Sequence, residues 1–566
     1  MSDARPNSPT GAEAMVRLLA AHGVRHIFGL CGDTSLPFYD ALARLDHGMT
    51  HILTRDERSA GYMADAYARV TGRVGICEGP SGGGATYILP GLVEAGESSV
   101  PVIGITTDVS VPSRGRYPLT ELDQEALFRP LTKWNGLIDR AERLPNMVRH
   151  AFRAVTTGRP GAAHLGLPFD VQKAPVDPDD LWAQPEFATW PAWRSAPDPA
   201  AVTALVDALL SAKNPMIVCG GGVVLSGGEA ELETLARSLD IVVATTVSGQ
   251  GSLAETHPNC LGVVGSNGGT PPTRAMLEAA DLVLFIGCRA GSVTTERWRA
   301  PTRRTRILHI DSDPLAVSAN YLTEVALIGD ARLALAAVNA EIAGRNTSVT
   351  FGAAAAIAPV IREKFAPFLD LAASGASPIV PERTIKTLND LLPDDAVVVA
   401  DPGTPCPYFS GYYVWPRAGR HFITNRAHGA LGYALPASVG AQIGRPNAKV
   451  VSVMGDGSFG FACGELETVK RLNLPITFVV FSNSVFGWIK AGQKSGFGER
   501  YFSVDFSRTA HADVAAAFGL KTWRVEDPAD LEGALKAALA HDGPTLVDVI
   551  SQPLQDARAP VSEWVA

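Results

Sequence analysis

The sequence is poor in the features that mark secreted, zinc-binding or membrane proteins. Its seven cysteines are scattered and form no CxxC pair, which argues against a disulfide framework or a zinc site; they stand at positions 31, 77, 219, 260, 288, 406 and 463. No apolar run approaches the roughly 18 residues of a membrane span, and the first residues contain no apolar signal core. We therefore expect reduced thiols, no membrane partner and a cytoplasmic location.

An excess of positive charge is also missing. The formal net charge is −9, from 49 Lys and Arg against 58 Asp and Glu, so nothing favours a nucleic-acid partner. No G-x-G-x-x-G loop follows the first strand, and the P-loop pattern G-x-x-x-x-G-K-[ST] does not occur. Nicotinamide-dependent dehydrogenases and ATP hydrolases are therefore unsupported, and we expect a small-molecule substrate.

What the chain does contain is a regular alternation of helix and strand patterns over 566 residues, a length that suggests roughly three domains. This alternation predicts an α/β fold of doubly wound parallel sheets. A Pro-, Asp- and Trp-rich stretch at about 172–198 is typical of a linker, and a looser Ala- and Pro-rich stretch precedes the last domain. We predict domains at 1–175, 198–345 and 380–566, of which the first and third could share a topology.

The sharpest feature lies in the third domain, where two strand-like runs each lead to a polar residue. The run VVSVM is followed by a glycine on either side of Asp456, and the run ITFVVF leads to Asn483. A right-handed crossover through the helical stretch between them would place both strand ends at one sheet edge. Carboxylate and amide oxygens suit Mg²⁺, and the glycines would let backbone N–H groups approach a diphosphate. A bare Gly-Asp-Gly without this context would be read as a turn.

This pattern resembles the signature of thiamine-diphosphate enzymes, and the likeness covers nearly the whole chain. It implies that Asp456, Asn483 and the backbone carbonyl of Val485 hold Mg²⁺. It further implies cofactor contacts from Gly403, Thr404, Gly455, Gly457, Ser458, Phe486 and Gly487. The three domains would then be a pyrimidine-binding, a central and a diphosphate-binding domain.

The segment around Glu57 resembles a second part of these enzymes. Arg55-Asp56-Glu57 is followed, after Arg58, by SAGYMADAYARVTG, similar to the family segment that reaches the active site of a partner subunit. The resemblance implies that Glu57 hydrogen-bonds the pyrimidine N1′ and favours the imino tautomer, whose 4′-imine takes the thiazolium C2 proton. It also implies a homodimer or homotetramer. Taken alone, Glu57 would be an ordinary surface charge.

A third resemblance lies in RAHGALGYALPA. In the family a bulky apolar residue here wedges between the two cofactor rings, and a glycine carbonyl two residues earlier accepts a bond from the 4′-amine. Leu431 and Gly429 would take these roles, although Leu431 could equally be a plain core leucine.

Within the family the chain looks closest to the acetolactate-synthase-like group. The stretch ILHIDSDP is similar to that group's central domain, which binds FAD, ADP or nothing in different members. Gly220-Gly221-Gly222 follows a strand there and hints at a nucleotide, or simply ends the strand. FAD or ADP is therefore a third cofactor prediction.

Several residues depart from acetolactate synthases. Thr120 stands where they have a glutamine, their GPG loop is Gly82-Gly83-Gly84 here, and Cys31 replaces a proline. These departures argue against biosynthetic acetolactate formation. The run Glu121-Leu122-Asp123-Gln124 looks more like oxalyl-CoA decarboxylase, a relative that closes its site with a C-terminal tail. The tail at 556–566 is predicted to be either a lid or a frayed terminus.

The candidate catalytic residues are Glu57, His428, Gln124 and Glu121, and Trp488 is a further candidate for substrate contact. We predict an enzyme that cleaves or forms a C–C bond beside a carbonyl, by 2-oxo acid decarboxylation, carboligation or both. The alternatives are a lyase or decarboxylase acting on a CoA thioester and a cofactor-binding homologue without turnover.

Overall fold

The computed structural model describes residues 8–345 and 347–564. It contains three six-stranded sheets in which all neighbouring strands are parallel, each flanked by helices, which confirms the predicted α/β class. The chain forms two compact units: the first comprises residues 8–193, Asn425–Asn447 and Ala462–Leu472, and the second comprises Arg194–Thr424, Ala448–Phe461 and 473–564. Among the described helices, none is long and apolar enough to cross a membrane.

The first sheet belongs to the first unit and has the strand order β2-β1-β3-β4-β6-β5. Its strands are β1 (His26–Gly29), β2 (Thr50–Leu53), β3 (Gly75–Gly79), β4 (Val102–Asp108), β5 (Trp134–Leu137) and β6 (Ala162–Pro168). Its helices are α1 (Gly11–Ala21), α2 (Leu36–Arg44), α3 (Glu57–Thr71), α4 (Gly83–Tyr87), α5 (Leu89–Glu97), α6 (Gln124–Phe128), α7 (Leu144–Thr156) and α8 (Phe169–Lys173). The strand that the sequence predicts to run into the glycine loop is β3, which ends at Gly79. The glycine loop itself leads into α4, which begins at Gly83.

The central sheet has the order β12-β11-β10-β7-β8-β9. Its strands are β7 (Pro215–Cys219), β8 (Val242–Thr245), β9 (Cys260–Val263), β10 (Leu282–Ile286), β11 (Arg306–Asp311) and β12 (Thr323–Ile328). Its helices are α9 (Pro199–Leu210), α10 (Gly221–Ser226), α11 (Glu229–Leu239), α12 (Pro271–Ala279), α13 (Ala331–Gly344) and α14 (Ala353–Ala372).

Helix α14 corrects one sequence expectation, because it occupies the stretch that looked loose. Pro359 and Pro367 lie inside this 20-residue helix. Each proline costs a helix interior about 3 kcal/mol. Both are exposed, while Ile357 and Phe368 are buried on the opposite side. The buried face therefore offsets the poor local propensity.

The third sheet has the order β14-β13-β15-β16-β18-β17, which repeats the order of the first and confirms the shared topology. Its strands are β13 (Val397–Ala400), β14 (Phe422–Thr424), β15 (Val450–Gly455), β16 (Thr477–Ser482), β17 (Lys521–Val525) and β18 (Thr545–Ile550). The helices of this part of the chain are α15 (Pro381–Leu391), α16 (Pro405–Tyr412), α17 (Ala434–Gly444), α18 (Asp456–Ala462), α19 (Leu466–Arg471), α20 (Gly487–Gly496), α21 (His511–Ala517) and α22 (Leu531–Leu539). Helix α17 packs along α3 within the first unit, where Gly440 gives the close approach to Met63.

Candidate active site

The predicted metal ligands follow two neighbouring strands of the third sheet. Strands β15 and β16 are paired in parallel, and both end at the same edge. Strand β13 pairs with β15 on its other side, and the loop after it continues from Asp401, whose N–H bonds to the Val453 carbonyl at 3.0 Å. The strand order reverses between β13 and β15, the place where doubly wound sheets open a crevice for ligands.

Asp456 is the centre of this edge and is only 4% exposed. Its Oδ2 accepts hydrogen bonds from the backbone N–H groups of Asn483 at 2.8 Å and Ser484 at 2.6 Å, and its Oδ1 accepts one from Gly457 at 2.9 Å. Burial raises the pKa of this carboxyl group, and the N–H donors act against that rise. Asp456 and the backbone of Asn483 therefore lie together, and their role as metal ligands stays a prediction.

The loop after Asn483 has a distinct backbone. Ser484 has a φ of 59°, a left-handed conformation that is uncommon for a residue with a side chain. Val485 pairs with Asp505 in an isolated bridge, whose bonds run from Phe486 N to Val504 O and from Phe506 N to Ser484 O. The carbonyl of Val485 takes no part in these two bonds.

The glycines at this edge divide into two kinds. A Cβ added at Gly403 or Gly455 would lie more than 4 Å from every described residue other than its chain neighbours, so both glycines border open space. At Gly457 the added atom would lie 2.7 Å from the Phe486 ring, and at Gly487 it would lie 3.0 Å from Leu554 Cβ. The second pair is required by packing within the protein. The first pair leaves a cradle at the strand ends, which fits an anionic diphosphate beside a divalent cation.

Other predicted contacts lie close by. Thr404 and Ser458 are both buried, and the Thr404 hydroxyl lies 3.6 Å from the Cβ position of Gly487. The side chain of Trp488 packs against Trp564, with ring centroids 5.1 Å apart. The tail around Trp564 is held by bonds from Gly268 N to Pro560 O and from Ser562 N to Ser266 O. These bonds do not support a frayed terminus up to residue 564, whereas 565–566 lie outside the described residues.

Glu57 lies in the first unit, at the start of α3. Its neighbour Asp56 caps this helix by accepting a bond from Arg58 N at 2.8 Å. Glu57 is 8% exposed, and a Cβ added at Gly84 would lie 3.1 Å from its Oε1. Burial raises the pKa of the carboxyl group, and the negative charges of Asp56 and Glu78 add to the rise. This position is unlike that of an ordinary surface charge.

The loop with the third motif also belongs to the first unit. His428 and Gly429 are exposed, and Leu431 is half-buried. Gly429 has a φ of 74°, in the left-handed region that favours glycine. The amide Nδ2 of Asn425 donates to the Ala430 carbonyl at 2.5 Å, which closes the loop on itself. His428 and Leu431 are therefore presented at the surface of this unit.

Gln124 and Glu121, the other predicted substrate contacts in this unit, are less exposed than His428. Gln124 is 1% exposed; its Nε2 donates to the Thr107 carbonyl at 3.0 Å, and its Oε1 accepts a bond from the Thr106 hydroxyl. Its amide is already engaged within the sheet, so contact with substrate stays a prediction that this geometry does not favour. Glu121 is half-buried in the preceding loop and accepts a bond from Gly115 N at 2.7 Å.

Sequence reasoning missed a buried acid beside Glu57. Glu78 lies at the end of β3, is 1% exposed, and accepts bonds from the Tyr39 hydroxyl and from His51, whose Nε2 is 3.4 Å away. Burial raises the pKa of Glu78, and its neutral form is thereby favoured. The signal was present as one acidic residue in the otherwise apolar strand GICEG.

A second missed group lies behind the metal loop. The Ser482 hydroxyl, one residue before Asn483, donates to Asp548 and lies 2.9 Å from Nδ1 of His511. The ring of Phe459 packs edge-on against His511 at 5.3 Å. An aspartate inside the apolar strand TLVDVI was the available sequence signal. These groups fix the end of β16, where the loop with Asn483 begins.

Comparison with known proteins identifies the class that this fold and site define. The N-terminal TPP-binding, central and C-terminal TPP-binding domain models of thiamine pyrophosphate enzymes match residues 9–127, 202–338 and 402–549. Thiamine pyrophosphate is another name for thiamine diphosphate. The protein is a thiamine-diphosphate-dependent enzyme.

Individual relatives narrow the class. The chain is 33% identical over 559 residues to a probable acetolactate synthase large subunit of Methanococcus aeolicus, covering 96% of this chain and 92% of the relative. It is 32% identical over 549 residues to the acetolactate synthase isozyme 2 large subunit of Escherichia coli (strain K12), covering 96% of each. The chain belongs to the acetolactate-synthase-like group, whose enzymes act on C–C bonds beside a carbonyl. These matches favour neither the CoA-thioester alternative nor a homologue without turnover.

The central-domain glycines have a structural role of their own. A Cβ added at Gly220 would lie 2.1 Å from the Gly287 carbonyl oxygen, and one at Gly222 would lie 2.6 Å from Gly287 Cα. Close backbone packing after β7 therefore accounts for these two glycines without a ligand. FAD or ADP in this domain stays a prediction, and we expect its test to be the absorbance spectrum and nucleotide content of the purified protein.

Proposed function

We propose that the carboxyl edge of the third sheet binds Mg²⁺ and the diphosphate of the cofactor, with Asp456, Asn483 and the Val485 carbonyl as metal ligands. The observation that carries this proposal is the buried Asp456 carboxylate, which holds the backbone of the Asn483 loop through two hydrogen bonds. A buried carboxylate needs a compensating positive charge, and Mg²⁺ bound to a diphosphate takes few protein ligands. The open space beside Gly403 and Gly455 supports the same placement.

Glu57 is the acid–base residue of the proposal. When bound, the cofactor supplies a carbon nucleophile that adds to a carbonyl and stabilises the negative charge released by decarboxylation. A glutamate whose pKa is raised by burial holds its proton more readily, which suits a group that shares a proton with a ring nitrogen. Glu57 thus favours the tautomer that removes the C2 proton.

The complete site requires two copies of the chain in this proposal. Glu57 lies in the first compact unit and Asp456 in the second. We propose that the pyrimidine half of one subunit serves the diphosphate half of its partner, in a homodimer or in a homotetramer of two such dimers. Sedimentation of the active protein should therefore show at least a dimer. A monomer with full activity would contradict this assembly.

The substrate is proposed to be a 2-oxo acid, which is decarboxylated and joined to a second carbonyl compound. The relatives named acetolactate synthase support this reaction type. Thr120 and the Gly82–Gly84 loop argue for an acceptor other than that of biosynthetic acetolactate formation. His428 is proposed to contact the substrate, because it is exposed next to Gly429.

The deciding experiment is a substrate panel with and without the cofactor pair. The protein is dialysed against a chelator and assayed on 2-oxo acids, with and without aldehyde or 2-oxo acid acceptors, and on oxalyl-CoA and 2-hydroxyacyl-CoAs. We expect CO₂ release from a 2-oxo acid only after both thiamine diphosphate and Mg²⁺ are returned. Turnover of the CoA thioesters alone would overturn the substrate proposal and leave the cofactor site standing.

A further inference from the structure

Four side chains in the first unit form a buried charged network that the proposed chemistry does not use. Arg69 donates from Nε to Asp65 Oδ2 at 2.8 Å and from Nη2 to Glu94 Oε1 at 3.0 Å. The Tyr433 hydroxyl donates to the same Asp65 oxygen at 2.6 Å. The side chains of Asp65 and Glu94 are fully buried, and that of Arg69 is 7% exposed.

This network connects three parts of the first unit. Asp65 and Arg69 lie on α3, the helix that begins at Glu57, and Glu94 lies on α5. Tyr433 stands at the start of α17, directly after the loop 425–432. The second oxygen of Glu94 accepts a bond from the backbone N–H of His428 at 2.8 Å. The network thus ties the helix of Glu57 to the loop that presents His428, Gly429 and Leu431.

Stability alone does not explain these charges. Buried ion pairs are often no more stabilising than apolar side chains of similar size, because both partners lose their hydration. Elsewhere α3 packs through small and apolar residues, such as Gly61 against Gly91. A network with directional bonds fixes positions more closely than apolar packing does. Its bond to the exposed loop is the feature that apolar side chains could not replace.

We propose that Asp65, Arg69, Glu94 and Tyr433 are positioning residues, which hold the 425–432 loop in a fixed place against helix α3. The inference rests on the proposed function, in which Gly429 and Leu431 of one subunit and Glu57 of the partner subunit meet the same cofactor rings. An error of about 1 Å in such a placement costs on the order of 100-fold in rate. Glu94 has the central place, because it contacts both Arg69 and the backbone of the loop.

The test is Glu94→Gln, which keeps the side-chain volume but removes the charge facing Arg69. Amide hydrogen exchange, measured on the protein without cofactor, reports directly on how firmly the 425–432 loop is held. We expect exchange in peptides covering 425–432 to be faster by about tenfold, the effect of weakening a charge-assisted hydrogen bond. In the loaded enzyme we expect kcat to fall about 100-fold with little change in the substrate KM.

The matched control is Asp180→Asn, which weakens another ion pair of the same unit. Arg149 Nη2 lies 2.9 Å from Asp180 Oδ1, and neither residue touches the 425–432 loop through a described hydrogen bond. This variant should leave loop exchange and kcat unchanged, whatever it does to Tm. Equal loop exchange and kcat in wild type and Glu94→Gln would overturn the inference.

A second variant covers the case in which Glu94→Gln does not fold. Tyr433→Phe removes only the hydroxyl bonded to Asp65, and it should change loop exchange and kcat in the same direction by a smaller factor. Wild-type values in that variant would equally count against the network. The proposed function fails separately, if Glu57→Gln and Asp456→Asn both keep full activity.

Discussion

The first and third sheets have the same strand order, and yet their corresponding strand ends bear different chemistry. Strand β3 occupies the place in the first sheet that β15 occupies in the third. Strand β3 ends at Glu78 and Gly79, and β15 ends at Gly455, followed at once by Asp456. Both acids are buried and their pKa values are raised by burial. Glu78 accepts bonds from the side chains of Tyr39 and His51, whereas Asp456 accepts bonds from the backbone of the neighbouring loop.

This difference shows that topology provides the crevice and the hydrogen-bond partners decide its use. The acid in the first sheet is held by side chains of the same unit, and the proposal assigns the proton-carrying role to Glu57 instead. The acid in the third sheet holds the backbone of the loop that is proposed to supply oxygen ligands. The central sheet, with its different order, has glycines that pack on Gly287 after β7. Each prediction below tests one side of this comparison.

The largest effect is expected from Glu57→Gln. The amide keeps the volume of the side chain but cannot share a proton with the pyrimidine, so kcat should fall by about 10²- to 10⁴-fold. Exchange of the cofactor C2 proton with deuterium, followed by NMR after acid quench, should slow in parallel. Asp56→Asn is the control, because asparagine also caps a helix and the variant loses only the neighbouring charge and its ion pair with Arg58. Wild-type exchange in Glu57→Gln would make that residue a bystander.

Replacing each of the two corresponding acids, Asp456 and Glu78, by its amide should have different effects on the affinity for the cofactor. Asp456→Asn removes the charged metal ligand, and we expect cofactor affinity to drop by about 100-fold or more. Glu78→Gln removes a carboxyl group that burial already favours in its neutral form, so affinity should be retained. Titration of intrinsic fluorescence with thiamine diphosphate at fixed Mg²⁺ measures both. A comparable loss in the two variants would break the distinction drawn between the sheets.

For Gly455→Ala, which fills part of the open space at the edge of the third sheet, we expect a smaller loss of cofactor affinity. Within the described part of the chain, the new methyl group would have no atom within 4 Å apart from its chain neighbours, so Tm should be unchanged. The methyl group would occupy space proposed for the diphosphate, and affinity should weaken by about tenfold, as expected for a loss near 1.4 kcal/mol. Gly464→Ala, which also faces open space, is the control in the first unit. Unchanged affinity in Gly455→Ala would place the diphosphate elsewhere.

The smallest effect concerns the pH dependence of stability at Glu57. The pKa of Glu57 in the folded state is raised above the ordinary 4.5, because the folded state disfavours the charged carboxylate. The protonated carboxyl group therefore contributes to the stability of the fold below pH 4.5, and this contribution is lost as the pH rises through the folded-state pKa. Glu57→Gln stays neutral and should have a Tm higher by on the order of 1 °C near pH 8, with no difference near pH 4. Thermal denaturation followed by circular dichroism at both pH values measures it. A Tm difference of the same size at both pH values would separate the effect from the titration of Glu57.

The sequence contained enough local information to predict the fold class and the third-domain edge. Apolar runs such as VVSVM identify buried parallel strands because both faces of such a strand are covered, and the residues that follow must then lie at a strand end. Helix α14 escaped prediction, because its prolines dominate the local pattern while its buried face depends on distant partners. The hydrogen bonds of Gln124 with Thr106 and Thr107 likewise had no signal in the sequence, and its contact with substrate stays a prediction.

By itself, then, the sequence determined the cofactor class of this protein, because the strand ends and the proposed metal ligands are encoded within short segments. Only the tertiary structure decided which charges are buried and what they contact. Asp65 and Arg69 are four residues apart on α3, a spacing that fits any exposed helix pair. Their partners Glu94 and Tyr433 come from other parts of the chain, and burial strengthens each bond by excluding water. Such long-range contacts leave no periodic trace in the sequence.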